Sequence, residues 1–235
     1  MLNSNTLPAL LLVPGNKPDE FSKAELVGAN GVIIDLENTV SLNEKYQARK
    51  NALNYLSTNP AIRFTRILKI NSLAREDGLL DLLAITSHSK LNFDAILYPN
   101  TNTSAELKII DDILKETKNH VPVIASIESL NALENIKEII YKSNNLMGIV
   151  FDSMKICMRL NCKRNFQSLL YSRSKVIEAA AGKNIPVYDM PFPDSSDELG
   201  LIGESSGAKD LGFSGKVAID PKQIPVIKSI FESKN

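Results

Sequence analysis

The 235-residue sequence has no tryptophan, only two cysteines and two histidines, and no excess of either charge. Its 27 basic and 27 acidic side chains give a formal net charge of zero, which argues against a generally basic nucleic-acid-binding protein and a polybasic membrane-surface protein. No window approaches the roughly 18 apolar residues of a membrane span, and residues 1–8 lack the features of a signal peptide. We therefore expect a cytoplasmic protein with no nucleic-acid or membrane partner.

The two cysteines, Cys157 and Cys162, are too few for a disulfide framework and lack paired zinc-ligand spacing. A chain of this length can also build its own apolar core without cross-links. We expect both residues to be ordinary thiols.

What the sequence does have is a repeated alternation of strands and helices. Short apolar runs are each followed by a stretch whose apolar residues recur at three-to-four spacing. Eight such units without an intervening linker predict one closed (β/α)8 barrel, a TIM barrel, as a single domain over residues 1–235. The predicted strands are 10–13, 31–35, 66–70, 95–98, 121–127, 147–151, 185–189 and 216–219. The predicted helices begin at residue 18 or span 45–56, 79–86, 104–118, 132–141, 168–181, 198–211 and 223–231.

Local signals support several of these boundaries. Thr103 followed by Glu106 is a capping-box pattern, and Asp220, Pro221 and Gln223 suit the start of the last helix. The longest predicted loop, residues 152–167, follows the sixth strand. In a barrel, such loops lie on the face where active sites form.

Active sites in this architecture lie at the carboxyl ends of the strands, so the residues at those positions are the candidates. Carboxylates and lysines dominate them, which suits oxygen-ligand metal chemistry or carboxylate acid–base catalysis. Both histidines, His88 and His120, fall near the opposite ends, which argues against a histidine-dependent triad or a histidine-rich zinc site. The candidates are Pro14, Gly15, Asp35, Glu37, Lys69, Asn71, Pro99, Asn100, Glu128, Asp152, Lys155, Asp189 and Asp220.

Several candidates also have a purely structural explanation. Asp220 is expected to be a helix cap. Asp35 and Glu37 suit either a cap with a solvated carboxylate or a pair that orients a cation over the barrel mouth. Lys155 would by default be a solvated loop lysine. Glu128 is the sharper case, because it follows an apolar strand and a buried carboxylate needs a partner.

A series of strings, in order from residue 10 to residue 231, resembles the citrate lyase beta subunit family of the HpcH/HpaI aldolase superfamily. These strings are Leu11-Leu12-Val13-Pro14-Gly15, Asp35-Leu36-Glu37-Asn38-Thr39-Val40, Lys45 with Ala48-Arg49, Ile127-Glu128-Ser129, Leu211-Gly212-Phe213-Ser214-Gly215-Lys216, and Ile219 with Pro221 and Gln223. The resemblance covers nearly the whole chain.

The resemblance implies a (β/α)8 barrel of the phosphoenolpyruvate/pyruvate-binding type and a carbon–carbon lyase that cleaves a 3-hydroxy acid, usually carried as a thioester. The ligands it implies are a small ketoacid, a hydroxyacyl thioester on coenzyme A or an acyl carrier protein, and Mg²⁺ held by two carboxylates. It also implies a homo-oligomer, a trimer or hexamer. We expect no C-terminal lid of the kind that acyl-CoA lyases of this family carry.

The functional positions match the family less well than the framework does. Glu128 matches the first metal carboxylate, but the second falls on Lys155, and the family's carboxylate-clamping arginine falls on Lys69. An ammonium at the position of a metal ligand would repel a divalent cation, and lysine lacks the bidentate geometry of arginine. Asn38, Asn100 and the Pro8-Ala9 pair also depart from the pattern.

Three interpretations follow. In the first, Lys155 replaces the metal, pairs with Glu128 and offers its charge to a carboxylate substrate. In the second, Asp152 joins Glu128 as a metal ligand and Lys155 points away. In the third, the barrel is a non-catalytic binding or assembly protein. The first two give a lyase with a diverged active site. Its catalytic candidates are Glu128, Lys69, Asp35, Glu37 and Lys155, and its substrate-binding candidates are Lys69, Asn71 and Glu128.

Overall fold

A computed structural model describes residues 7–58 and 64–233. Eight parallel strands close into a barrel, in which each strand pairs with the next along the chain and the eighth pairs with the first. The predicted (β/α)8 architecture is confirmed. The strands are β1 (Ala9–Pro14), β2 (Gly31–Asp35), β3 (Thr65–Lys69), β4 (Ala95–Tyr98), β5 (Val123–Ile127), β6 (Leu146–Phe151), β7 (Val187–Asp189) and β8 (Gly215–Ala218).

Helices surround this barrel, and all of those described are shorter than a membrane-spanning helix would be. Short 3-10 turns at Pro18–Glu20, Leu42–Glu44 and Gln167–Leu169 precede three of them. The helices are α1 (Lys23–Leu26), α2 (Lys45–Leu56), α3 (Glu76–Ser87), α4 (Ser104–Leu114), α5 (Leu130–Glu134), α6 (Ile136–Lys142), α7 (Ser153–Leu160), α8 (Leu170–Ala181), α9 (Glu198–Leu211) and α10 (Gln223–Glu232).

Because successive side chains of a strand point to opposite faces, the apolar side chains form two separate cores. One small cluster, which includes Ile33, Ile67 and Ile124, fills the barrel interior, and a larger cluster lies between the strands and the helices. Two residues beyond Ile33 and Ile67 along their strands come Asp35 and Lys69. Because alternate residues of a strand share a face, both side chains continue the inward row and point into the barrel mouth.

The prediction of one uninterrupted loop over residues 152–167 is wrong, because α7 occupies its first half. The segment contains neither glycine nor proline, and its Ile156 and Cys157 are buried. Asp152 caps the helix, with Oδ1 accepting the Lys155 N–H at 2.9 Å. An aspartate cap at the end of a strand therefore starts a helix where sequence analysis expected a loop.

Other boundaries differ in smaller ways. The helix predicted over residues 132–141 is divided into α5 and α6 at Asn135, and α3 begins three residues earlier than predicted. The capping box of α4 is confirmed, since Glu106 Oε2 accepts the Thr103 N–H at 3.2 Å. Before the last helix, Gln223 Oε1 accepts the Ile219 N–H at 3.0 Å. Asp220 Oδ1 accepts the Lys222 N–H at 2.8 Å, but Lys222 stands at the N-cap of α10, so Asp220 closes the preceding turn and is not the helix cap expected from the sequence.

A buried charge network lies between the strands and helices beside β7 and β8. Lys216 Nζ is 2.6 Å from Asp189 Oδ2 and 2.8 Å from Glu204 Oε1, and the Arg173 guanidinium lies 3.3 Å from Asp189. Asp189 and Lys216 are fully buried. Asp189 thus ends a strand, as predicted, but its contact with Arg173 of α8 and with Lys216 of β8, which in turn pairs with Glu204 of α9, places its side chain in the helix layer. Its role there is structural.

This network predicts a large stability cost for its disruption. Asp189→Asn would leave two buried cations short of a counter-charge, a loss of about 3–5 kcal/mol. Urea unfolding should show the loss as a lower midpoint with an unchanged slope. Glu178→Gln is the matched control, because it removes a carboxylate from the exposed pair with Lys137 and should change little. An Asp189→Asn midpoint equal to that of the control would contradict the assignment.

Candidate active site

Five charged side chains form an alternating row across the barrel mouth. Lys69 Nζ lies 3.4 Å from Asp35 Oδ1 and 2.9 Å from Glu37 Oε2. Lys155 Nζ lies 3.9 Å from Glu37 Oε1 and 2.5 Å from Glu128 Oε2. All five catalytic candidates therefore meet at one place, although they come from three strand ends and from α7. We call this row the mouth network.

The deep end of the mouth network is buried and hydrogen-bonded to the backbone. Asp35 is fully buried, and its carboxylate accepts the backbone N–H groups of Glu37 at 2.8 Å and Thr39 at 3.3 Å. Burial alone would lower the pKa of Lys69, but Asp35 and Glu37 outweigh it and raise that pKa. Asp35 therefore pairs with Lys69 and fixes the turn after β2. It is not the helix cap that the sequence allowed, because the next helical turn begins at Leu42 with Ser41 before it.

The outer end of the mouth network faces solvent. Glu128 is buried, as its position after an apolar strand suggested, and it has the partner that burial demands. That partner, Lys155, keeps about a third of its side chain exposed, at 32%. Lys155 is therefore the ammonium that an entering ligand can contact, whereas Lys69 is enclosed by its carboxylates.

A third lysine lies beneath the network, and sequence analysis missed its role. Lys45 is buried, and its Nζ donates to Leu36 O at 2.6 Å, Glu37 O at 2.5 Å and Asn71 Oδ1 at 2.8 Å. Its burial lowers the pKa of this group. The three acceptors are neutral oxygens, so Lys45 fixes the loop that carries Glu37 and adds positive charge below it.

The Lys45 layer continues into the helices. The Asn71 amide donates to Leu36 O at 2.9 Å and to Asp81 Oδ2 at 2.7 Å, so both of its N–H groups are used within the protein. Asp81 Oδ1 is 2.7 Å from Arg49 Nε, and burial raises the pKa of Asp81. The signal available in the sequence was the aspartate inside the leucine run of α3, since a buried charge needs a partner.

The mouth network and Lys45 together balance in formal charge. The three carboxylates are Asp35, Glu37 and Glu128, and the three ammonium groups are Lys69 and Lys155, which contact them, and Lys45, which contacts only neutral oxygens. Each carboxylate has a cation or backbone donors close by. The mouth therefore needs no additional cation to neutralise it.

The residues present do not fit the magnesium site that the resemblance implies. The Lys155 ammonium donates a hydrogen bond to Glu128 Oε2. Asp152 Oδ1 accepts the Lys155 N–H and thereby caps α7. The interpretation in which Lys155 points away from the site is wrong, because its ammonium contacts Glu128.

The remaining candidates lie around the mouth without joining the network. Pro14 ends β1, Gly15 follows it, and Pro99 and Asn100 follow β4. Asn100 has a positive φ of 49°, a conformation that asparagine tolerates. The two histidines lie near the opposite ends of the strands, and His120 is 2.8 Å from Asp111.

A cavity of about 290 Å³ adjoins the mouth between β1 and β8. Its apolar walls include Leu12, Pro14 and Ile219, and Lys17 and Lys23 stand among its lining residues. Thr39 also lines it, and the Thr39 N–H donates to Asp35, so one residue of the cavity wall contacts the mouth network. It is a mainly apolar cavity near the charged site, and its charged lining residues are Lys17, Lys23 and Glu20, the last of which lies 3.8 Å from Lys17.

The environment of Lys69 predicts the response to alkaline pH. Since folding raises its pKa, its contribution to stability is complete below the ordinary lysine pKa of about 10.4 and is lost as the pH rises above that value. Between about pH 10 and 11, we expect the unfolding free energy of the parent to fall more steeply than that of Lys69→Met, by up to about 1.4 kcal/mol per pH unit. Urea unfolding at each pH measures this, with Lys137→Met as the exposed-lysine control. Equal slopes for the parent and Lys69→Met would contradict the assignment.

Sequence comparison finds relatives along nearly the whole chain. The chain is 29% identical over 238 residues to citrate lyase subunit beta of Escherichia coli strain K12, covering 97% of this chain and 78% of that protein. It is 27% identical to a (3S)-malyl-CoA thioesterase of Cereibacter sphaeroides, covering 95% and 76%.

Solved structures share the fold. RipC from Yersinia pestis superposes with a TM-score of 0.86 at 29% identity, covering 99% of this chain and 98% of that one. The CitE protein of Mycobacterium tuberculosis in complex with magnesium, acetoacetate and coenzyme A gives a TM-score of 0.82 at 23% identity, covering 98% and 83%. The family profile itself matches residues 9–221. The chain belongs to the HpcH/HpaI aldolase/citrate lyase family.

Proposed function

We propose that the barrel mouth is the active site of a carbon–carbon lyase in which the Lys155 ammonium takes the place of a metal ion. The protein cleaves a 3-hydroxy acid, or its thioester, to a ketoacid and an acetyl-type product. The observation that carries the proposal is the position of Lys155, 2.5 Å from Glu128 and partly exposed at the mouth. A cation at this point can bind a carboxylate substrate directly.

The reaction requires a base and fixed positive charge. The base removes the proton of the substrate hydroxyl, the carbon–carbon bond breaks, and the oxygen becomes the ketoacid carbonyl. The electrons of that bond pass to the carbon beside the acyl group, which takes up a proton to give the acetyl-type product. General-base catalysis typically contributes about 10²–10⁴ in rate, and a preorganised cation stabilises the charge that develops on oxygen.

We assign roles according to exposure. Glu37 and Glu128 border Lys155 and are the candidate bases, and Lys155 binds the substrate carboxylate and the developing oxyanion. Lys69, predicted as a substrate contact, is enclosed by carboxylates and is given a positioning role. Asn71, which uses both amide N–H groups internally, is given the same role.

The cavity beside β1 and β8 suits the acyl carrier. Its apolar walls would accept the aliphatic part of a pantetheine arm, and Lys23, together with Lys17 once Lys17 leaves its exposed pair with Glu20, would bind the phosphate. The thioester named for the Cereibacter sphaeroides relative supports this substrate class. Both coenzyme A and an acyl carrier protein carry such an arm. We further propose that the protein acts in the cytoplasm as a single-barrel subunit of a homo-oligomer.

The alternative is a non-catalytic binding or assembly protein on the same barrel. The two functions differ in what they require of the mouth. An assembly protein needs no solvent-facing cation between two carboxylates. The family membership and the convergence of all five candidates favour the lyase.

The test is an activity assay with a chelator. The protein is incubated with citryl, malyl and methylmalyl thioesters, and ketoacid release is followed with and without EDTA. We expect slow release that EDTA does not reduce. Glu128→Gln should lower the rate about 10²-fold or more if Glu128 is the base. Lys155→Asp restores the family's second carboxylate, so its ligand binding should become magnesium-dependent.

A matched variant separates the site from general charge effects. Lys163→Asp makes the same charge reversal at an exposed position beyond α7 and should retain the parent behaviour. The proposed lyase function fails if no thioester releases ketoacid and calorimetry detects no ketoacid binding. Release that requires magnesium in the parent would instead overturn the role given to Lys155.

A further inference from the structure

Helix α7 ends in a Schellman motif. Asn161 adopts the left-handed conformation, with φ 51° and ψ 43°. The Cys162 N–H donates to Cys157 O at 3.2 Å, and the Asn161 N–H donates to Met158 O at 3.3 Å. These are the two hydrogen bonds that define the motif. They fix the backbone on both sides of the turn.

In this motif the residues five apart across the turn bring their side chains together, usually as an apolar contact. Here those residues are Cys157 and Cys162, the only two cysteines of the chain. Their Sγ atoms are 3.5 Å apart. A disulfide has an S–S distance of about 2.05 Å, so the sulfurs must approach by about 1.5 Å, and the Cys157 thiol must give up its contact with Cys162 O at 2.5 Å. The sequence spacing alone did not show this proximity, because the turn creates it.

We propose that Cys157 and Cys162 form a redox pair that closes to an intramolecular disulfide across the end of α7. The disulfide would staple the last turn of the helix whose first turn presents Lys155. The inference concerns a modification of the chain and does not depend on the proposed lyase activity.

The oxidant is a low-molecular-weight disulfide such as oxidised glutathione. Cys162 is half-buried and is reached first, whereas burial raises the pKa of the Cys157 thiol. The Cys162 thiolate attacks one glutathione sulfur, and one glutathione leaves as a thiol. Cys157 Sγ then attacks the Cys162 sulfur and displaces the second glutathione. The protein loses two electrons and two protons, and the oxidised glutathione becomes two thiols.

The test equilibrates the folded protein in glutathione buffers of graded redox poise, followed by acid quenching, thiol counting and intact mass. We expect both thiols to disappear together, with a product lighter than the parent by two hydrogen atoms and no bound glutathione. Cys157→Ser should instead trap one glutathione on Cys162. Cys162→Ser should react more slowly, because its remaining thiol is buried.

A second experiment tests whether the folded structure is what brings the two cysteines together. The same titration in urea should give an exchange equilibrium constant at least tenfold smaller than that of the folded protein, which corresponds to about 30 mV in reduction potential. Hydrogen exchange at the Asn161 and Cys162 amides should slow at least tenfold on oxidation. Two free thiols at oxidising poise, separate glutathione adducts on both cysteines, or equal constants with and without urea would overturn the proposal.

Discussion

The contact between Lys155 and Glu128 is the interaction on which the proposed chemistry of this barrel depends. It puts an ammonium at a point where the family resemblance implies a second carboxylate and a metal ion. The contact forms because Glu128 follows an inward row of β5 and Asp152 starts a helix directly after β6. Lys155 lies in the first turn of that helix, and its side chain therefore reaches the barrel mouth. Lys155, a cation at the position of the family's second carboxylate, thus forms a direct ion pair with Glu128.

The rest of the mouth is arranged around that pair. Asp35 and Lys69 form the buried end of the mouth network, and Glu37 lies between Lys69 and Lys155. Lys45 supports Glu37 from below through neutral oxygens. Buried ions of this kind persist when their partners and hydrogen bonds are in place. Such a preorganised, charge-balanced site can stabilise developing charge without rearrangement.

Much of this could be predicted from the sequence. Strand–helix alternation is sufficient to predict the barrel, and strand ends identify Asp35, Lys69 and Glu128 because the period of two points them inward. The helix after Asp152 could not be distinguished from a loop, since eight residues with one cap give a weak periodic signal. The partners of Lys45 and Asp81 are separated by up to tens of residues, so only tertiary contacts could identify them.

The central proposal is that the Lys155 ammonium replaces a metal ion in binding a ketoacid. Its most direct measurement is calorimetric titration of the pure protein with oxaloacetate, once with magnesium and once with EDTA. We expect the same dissociation constant in both buffers and no heat of magnesium binding to the free protein. Oxaloacetate binding that appears only with magnesium would contradict it.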